Sequence, residues 1–174
     1  MDETEFWEIV DSTREAAGGD PEKQTDLLIG RLLKLDPESV LDFARQFAVR
    51  YRRAYTWDLW GAAAVMLDGA SDDAFDSFRS WLVSRGRRVY EGAVHEPDRL
   101  AELVPDFDPE TDGEAEEFGY AADEAYEQLT GEPLPDTGDR EPEEPEEPGG
   151  EVVDFEDEIA LADRFPRLWE RFSG

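Results

Sequence analysis

Residues 132–150, EPLPDTGDREPEEPEEPGG, set the limits on how this chain can be organised. They place Pro133, Pro135, Pro142, Pro145 and Pro148 among like charges and offer almost nothing to bury. Proline cannot donate to a helix or a sheet ladder and neighbouring carboxylates repel, so the stretch reads as a disordered or polyproline-like spacer. Its position divides the chain into three expected parts. These are a helical domain over residues 1–130, an acidic Pro/Glu-rich spacer over 131–151, and a short aromatic-rich helical tail over 152–174. The tail brings back Val153, Phe155, Leu161, Phe165, Leu168, Trp169 and Phe172. A segment of that content docks on its own domain or on a partner, and docking on its own domain protects the aromatic patch from aggregation.

Charge follows the same division. The 174 residues carry 46 acidic groups against 17 Lys and Arg, a net charge of −29. Residues 101–174 hold 26 of those acids and four Arg, whereas residues 1–100 hold 20 acids and 13 bases. The first hundred residues are therefore ordinary for a folded domain, and five Trp and ten Phe supply a core. A chain this acidic lacks the positive footprint that phosphate contacts need, so direct nucleic-acid binding is not expected. The absence of cysteine removes thiolate nucleophiles and Cys-ligated metal centres, and one histidine removes any two-histidine metal site within a protomer. No apolar run approaches the length of a membrane span and no export signal opens the chain, so a cytoplasmic protein off the membrane is expected. Oligomeric state is not legible.

Helical periodicity runs through most of the first 130 residues. Asp2 with Glu5 resembles a capping box, and Phe6, Ile9, Val10 and Thr13 follow until Gly18-Gly19 stops the pattern. Asp20-Pro21-Glu22 and Asp36-Pro37-Glu38 each combine a cap, a proline at the first helical position and an acid against the positive helix end. LWGAAAVML, residues 59–67, is apolar on every side and predicts a central buried helix. Ser71 caps the next helix, whose inward stripe is Phe75, Phe78, Trp81, Leu82, Arg85 and Val89. A weaker helix is expected over residues 114–129. The fold class is all-α: a single compact helical domain, the spacer, and a short C-terminal helical segment.

Residues 57–92, WDLWGAAAVMLDGASDDAFDSFRSWLVSRGRRVYEG, resemble the signature region of the DUF4240 family, a family of unknown function found in bacteria. Phe6-Trp7-x-Ile9 and His95-Glu96-Pro97-Asp98-Arg99-Leu100 fit the same family, which covers residues 1–130 or so. Relatives often carry Gly-Cys before the Ser-Asp-Asp; Gly69-Ala70 stands here, which sets aside a cysteine-based activity. The resemblance supports the boundary of the domain near residue 130 and supplies no chemistry.

Four groups of residues are candidates for function. Asp58, Asp72, Asp73, Asp76 and Arg79 form the densest polar cluster, and carboxylates gathered from neighbouring helices can hold a hard cation for hydrolysis. The plainer alternative makes Ser71, Asp72 and Asp73 a helix cap and pairs Asp76 with Arg79 on the surface. Asp58 and Arg79 each lie in an aromatic run, so a buried Asp58–Arg79 bridge between two core helices is expected. Arg50, Arg52 and Arg53, with Arg85, Arg87 and Arg88, form two basic clusters near Tyr51, Tyr55 and Tyr90. Arginine forks and tyrosine rings suit a nucleotide or another anion; the alternative is pairing with the domain's own acids or with the spacer. His95, with Glu96 or Asp98 beside it, is a candidate general base or an ordinary turn histidine.

The function expected is a non-enzymatic helical interaction or regulatory module whose acidic C-terminal half meets a protein with a basic surface. No cofactor and no metal are assigned. The alternative is a small metal- or nucleotide-dependent hydrolase centred on Asp58, Asp72, Asp73 and Arg79.

Overall fold

A computed structural model describes residues 1–135 and 147–173. Residues 136–146, most of the expected spacer, lie outside the described residues. Among the described residues the fold is all-α, with eleven α-helices and no strand. Six helices carry the caps that the sequence supplies locally. Asp2 accepts from the Glu5 amide at α1 (Glu3–Ala17), Asp20 from Glu22 and Lys23 at α2 (Pro21–Leu32), and Asp36 from Ser39 at α3 (Pro37–Arg53). Thr56 caps α4 (Trp57–Met66), Ser71 caps α5 (Asp72–Ser84) and Asp157 caps α10 (Glu158–Arg164). Each such cap contributes about 1 kcal/mol by satisfying free amides.

The helix expected to run inward through Val89 is two helices. Gly86, at φ 95°, ends α5 and starts α6 (Arg87–His95), so Arg85 and Val89 belong to different elements. No side-chain hydrogen bond caps α6; the Asp11 carboxylate, reaching over from α1, lies against Gly86 at its start instead. A Cβ on Gly86 would run into that carboxylate, so the position needs glycine for both its backbone angle and its space. A 3-10 turn (Pro97–Arg99) and α7 (Leu100–Leu103) follow. The helix expected over 114–129 is likewise broken, into α8 (Glu116–Gly119) and α9 (Ala121–Thr130), with Tyr120 between them.

Phe6, Trp7, Phe43, Phe75, Phe78, Tyr90 and Phe118 are almost fully buried and form one core with Leu28, Leu32 and Leu82. Buried all round, as expected, α4 packs on α5 on one side and on the C-terminal segment on another. That segment, α10 with α11 (Pro166–Phe172), joins the same core through Val153, Leu161, Phe165 and Leu168. Two residues at the edges of the expected spacer are anchored as well. Leu134 is buried in the core, and Gly149 forms an isolated bridge with Thr56, exchanging hydrogen bonds with Tyr55 and Trp57 at 2.9 and 3.0 Å. Their anchoring has a local cause: Leu134 is the one large apolar side chain between two prolines, and the Gly149 amide finds a carbonyl free at the end of α3.

Candidate functional site

The expected Asp58–Arg79 bridge does not form. Arg79 is 1% exposed, and its guanidinium donates to Asp76 at 2.7 Å, to the Tyr51 carbonyl at 3.2 Å and to the Tyr51 hydroxyl at 3.3 Å. It lies over the rings of Tyr51, Tyr55 and Phe75, at 4.0, 4.5 and 5.2 Å from their centroids. Asp76 wins Arg79 because it sits one helical turn earlier on the same element, where a pair forms at little entropic cost. Asp58, at the start of α4, is held by Arg164 of α10 at 2.5 Å, a partner 106 residues away. Two of the three tyrosines placed beside the arginine clusters by sequence, Tyr51 and Tyr55, thus cage a different arginine.

The remaining acids of the cluster do not converge. Asp72 and Asp73 are exposed in the first turn of α5, where they complement the helix end capped by Ser71. Among the described residues, no three His, Cys, Asp or Glu side chains come together in a group able to hold a metal ion.

Arg50, Arg53 and Arg85 of the basic clusters are tied to the body by separate partners. Arg50 is largely buried, bonded to Gln46 and paired with Glu3 at 3.2 Å. Arg53 pairs with Glu91 at 3.1 Å and lies over the Tyr90 ring. Tyr90 donates to the Arg50 carbonyl at 2.8 Å, and burial pushes its hydroxyl well above the ordinary range. Arg85 donates to buried Gln24 at 2.7 Å, which in turn donates to the Ser84 carbonyl at 2.8 Å; burial lowers the Arg85 guanidinium from its ordinary value. Arg88 and Arg87 are exposed on the first turn of α6, and His95 is exposed at its last residue.

The Arg50 guanidinium holds the Glu3 carboxyl below its ordinary value. A carboxylate depressed in the folded chain stabilises it above its unfolded value near 4.5, and that contribution disappears as pH falls through the folded value. Acidification also relieves the self-repulsion of the whole chain, so the pair is visible only as a difference. Urea midpoints of the wild type and Glu3→Gln should therefore diverge above about pH 5 and converge toward pH 3. A constant gap across that range would remove the charge pairing from the account.

The surface that the structure does assemble is acidic. Residues 101–132 contain 12 Asp and Glu and no Lys, Arg or His. Glu102, Asp106, Asp108, Glu110, Glu114, Glu116, Glu117, Glu124, Glu127 and Glu132 are exposed. Their backbone is fixed from beneath by Phe107, Phe118, Ala121, Ala122 and Ala125, all buried. Arg171 of α11 fixes the start of the segment, donating to the carbonyls of Ala101, Val104 and Pro105 at 2.8 Å. Tyr120 stands 61% exposed at the α8–α9 junction. Glu116, Glu117 and Glu124 lie three or four residues from it, on the same side of a near-continuous helix. Periodicity alone treats these carboxylates as a solvated face. The signal that marks them is the absence of any interleaved base over 32 residues that nevertheless carry buried aromatics.

No helix among the described residues is long and apolar enough to cross a membrane. Comparison with curated proteins and with solved structures returns no match. The model of the family "Protein of unknown function (DUF4240)" matches residues 1–128. The chain belongs to that family.

Proposed function

We propose that this DUF4240 member is a non-enzymatic helical interaction module that presents the ordered carboxylates of α7–α9 to a protein with a basic surface. The observation that carries the proposal is the run of residues 101–132: acidic throughout, without a base, and held at fixed spacing by a packed core. Fixed spacing matters because a preorganised charge array binds without the ordering cost that a flexible acidic tail meets. Complementary charge steers encounter and rejects acidic partners, while an exposed tyrosine among carboxylates suits a guanidinium through both its ring and its neighbours. The reading places this encounter in the cytoplasm.

The hydrolase alternative would require Asp58, Asp72, Asp73 and Arg79 to address one centre. In the structure Asp58 turns to Arg164, Arg79 to Asp76, and the α5 acids to solvent. That dispersal supports the interaction reading over the catalytic one.

Affinity capture from native host lysate tests it. The wild type is expected to retain a basic protein at low salt and to lose most of it by about 0.5 M, because surface attraction is screened over a few ångströms there. The variant Glu116→Gln/Glu117→Gln/Glu124→Gln/Glu127→Gln should retain at most about a tenth as much, the loss expected when several rim charges are removed together. Equal retention by both proteins would overturn the acidic face as the contact.

A further inference from the structure

The geometry points to a second binding surface: the seat between α4, the Pro97–Arg99 turn and α7 is a receptor for a basic, aromatic helix of a partner protein, and the chain's own C-terminal segment occupies it in competition. The inference goes beyond the acidic face of α7–α9, which it meets only at Glu102, and does not depend on the carboxylates of α8 and α9.

Four features of the seat recognise such a helix. Asp98 is 8% exposed, and the hydrogen bonds its carboxylate accepts all come from the segment, from the Arg167 amide at 3.1 Å and the Leu168 amide at 3.0 Å. It thus caps, from outside, a helix that has no side-chain cap of its own. A carboxylate buried in that way is costly unless a helix start is delivered to it. Gly61 leaves a notch for the Phe165 ring; a Cβ there would stand 2.8 Å from Phe165 Cε2. Asp58 receives Arg164, and Glu102 receives Arg167 at 2.9 Å. The carbonyls of Ala101, Val104 and Pro105 form a basket for Arg171, and Phe107 meets Phe172 edge to face at 5.8 Å.

Charge complementarity names the occupant. Residues 164–171, RFPRLWER, carry three Arg and one Glu in a chain of net charge −29, and they meet carboxylates and carbonyls on the body. The occupant is a helix that opens on an Arg-Phe pair, buries a Leu beneath, and ends on an arginine one to two turns later. All four features of the seat lie within the residues matched by the family model, 1–128, whereas the occupying segment lies beyond them. A segment tethered through fewer than two dozen residues competes at an effective concentration on the order of millimolar, so a segment whose own affinity for the seat is micromolar weakens any partner helix about a thousandfold in the intact chain.

The test uses the full chain with a specific protease site substituted within residues 138–144 and cut after folding. A labelled peptide of residues 157–174 is then titrated into cut and uncut protein and followed by anisotropy. The expected result is saturable one-to-one binding to the cut protein and at least a hundredfold weaker binding to the uncut one. The Arg171→Ala peptide should lose at least tenfold in affinity, as should cut protein carrying Asp98→Asn. Binding should be unchanged by Glu116→Gln/Glu117→Gln/Glu124→Gln/Glu127→Gln, which separates this seat from the acidic face. Failure of the peptide to bind or exchange, equal affinity for cut and uncut protein, or unfolding of the helices of residues 1–130 as the cut segment dissociates would overturn the inference. Each of those results makes the segment an integral part of the fold.

Discussion

Arg79→Ala is expected to lower the unfolding free energy by about 3 kcal/mol, the scale of emptying a large buried side chain from a packed site. The melting temperature of a chain of this length should fall by roughly 6–12 °C as a result. The loss combines two contributions of different character. Stacking of the guanidinium over Tyr51, Tyr55 and Phe75 is desolvated and contributes about 2 kcal/mol. The hydrogen bonds to Tyr51 tie α5 to the end of α3, so their removal also frees the register between those helices. Asp76, half-exposed, is left in water and adds little penalty of its own. Arg79→Lys keeps the charge but not the planar fork, and should recover less than half of the loss. Thermal denaturation of the three proteins checks this; a lysine variant as stable as the wild type would reduce the cage to a point charge.

Gly61→Leu is the second large effect. Every face of α4 near this position is occupied, and the new side chain enters the volume of Phe165, itself 2% exposed. Overpacking of a rigid site costs about 1–3 kcal/mol when neighbours adjust. That cost falls on the docked state and not on the released one, so the small released fraction rises by about tenfold or more. Release gives up the burial of Val153, Leu161, Phe165 and Leu168, each contributing about 1.5–3 kcal/mol in the docked state. It also uncovers buried Asp98 and opens the Asp58–Arg164 pair. Limited proteolysis should cut within residues 152–173 at least tenfold faster than in the wild type, with the helices of residues 1–130 persisting. Gly61→Ala should show the same direction with a smaller rate change. Unchanged cleavage in the leucine variant would mean that the segment is not seated on α4.

The particular places where sequence and structure agree and part are instructive. Asp2, Asp20, Asp36 and Ser71 are legible as caps because a cap is a local bargain between one side chain and amides two or three residues away. The α4 helix is legible because a segment apolar on every side has no surface to give to water. The break at Gly86 is hidden, since Trp81, Leu82 and Val89 keep helical spacing across it and the carboxylate packed against it is that of Asp11, far away in sequence. The break at Tyr120 is hidden for the same kind of reason.

Candidate side chains follow the same rule. That Asp58 and Arg79 need partners is readable from their aromatic surroundings; which partners they take is not. Asp76 is nearer along the helix than Asp58, and Arg164 arrives only when the C-terminal segment docks. Asp98 illustrates the limit most clearly. In sequence it stands beside His95 as a possible orienting acid, but the fold turns it inward to hold the start of α11 while His95 faces solvent. The acidic face of α7–α9 lies between these cases. Its composition is plain, but its order depends on Phe107 and Phe118 reaching the core and on Arg171 fixing the carbonyls of residues 101–105.

The account rests on that face being the place where a basic partner binds, and site-specific photocrosslinking addresses it most directly. A photoreactive residue is introduced at Tyr120 in one protein and at Asp72 in another, and each is irradiated in native host lysate. The account predicts a saturable adduct with a basic protein from position 120, abolished by Glu116→Gln/Glu117→Gln/Glu124→Gln/Glu127→Gln, and no such adduct from position 72. An adduct from position 72 with none from position 120 would contradict it.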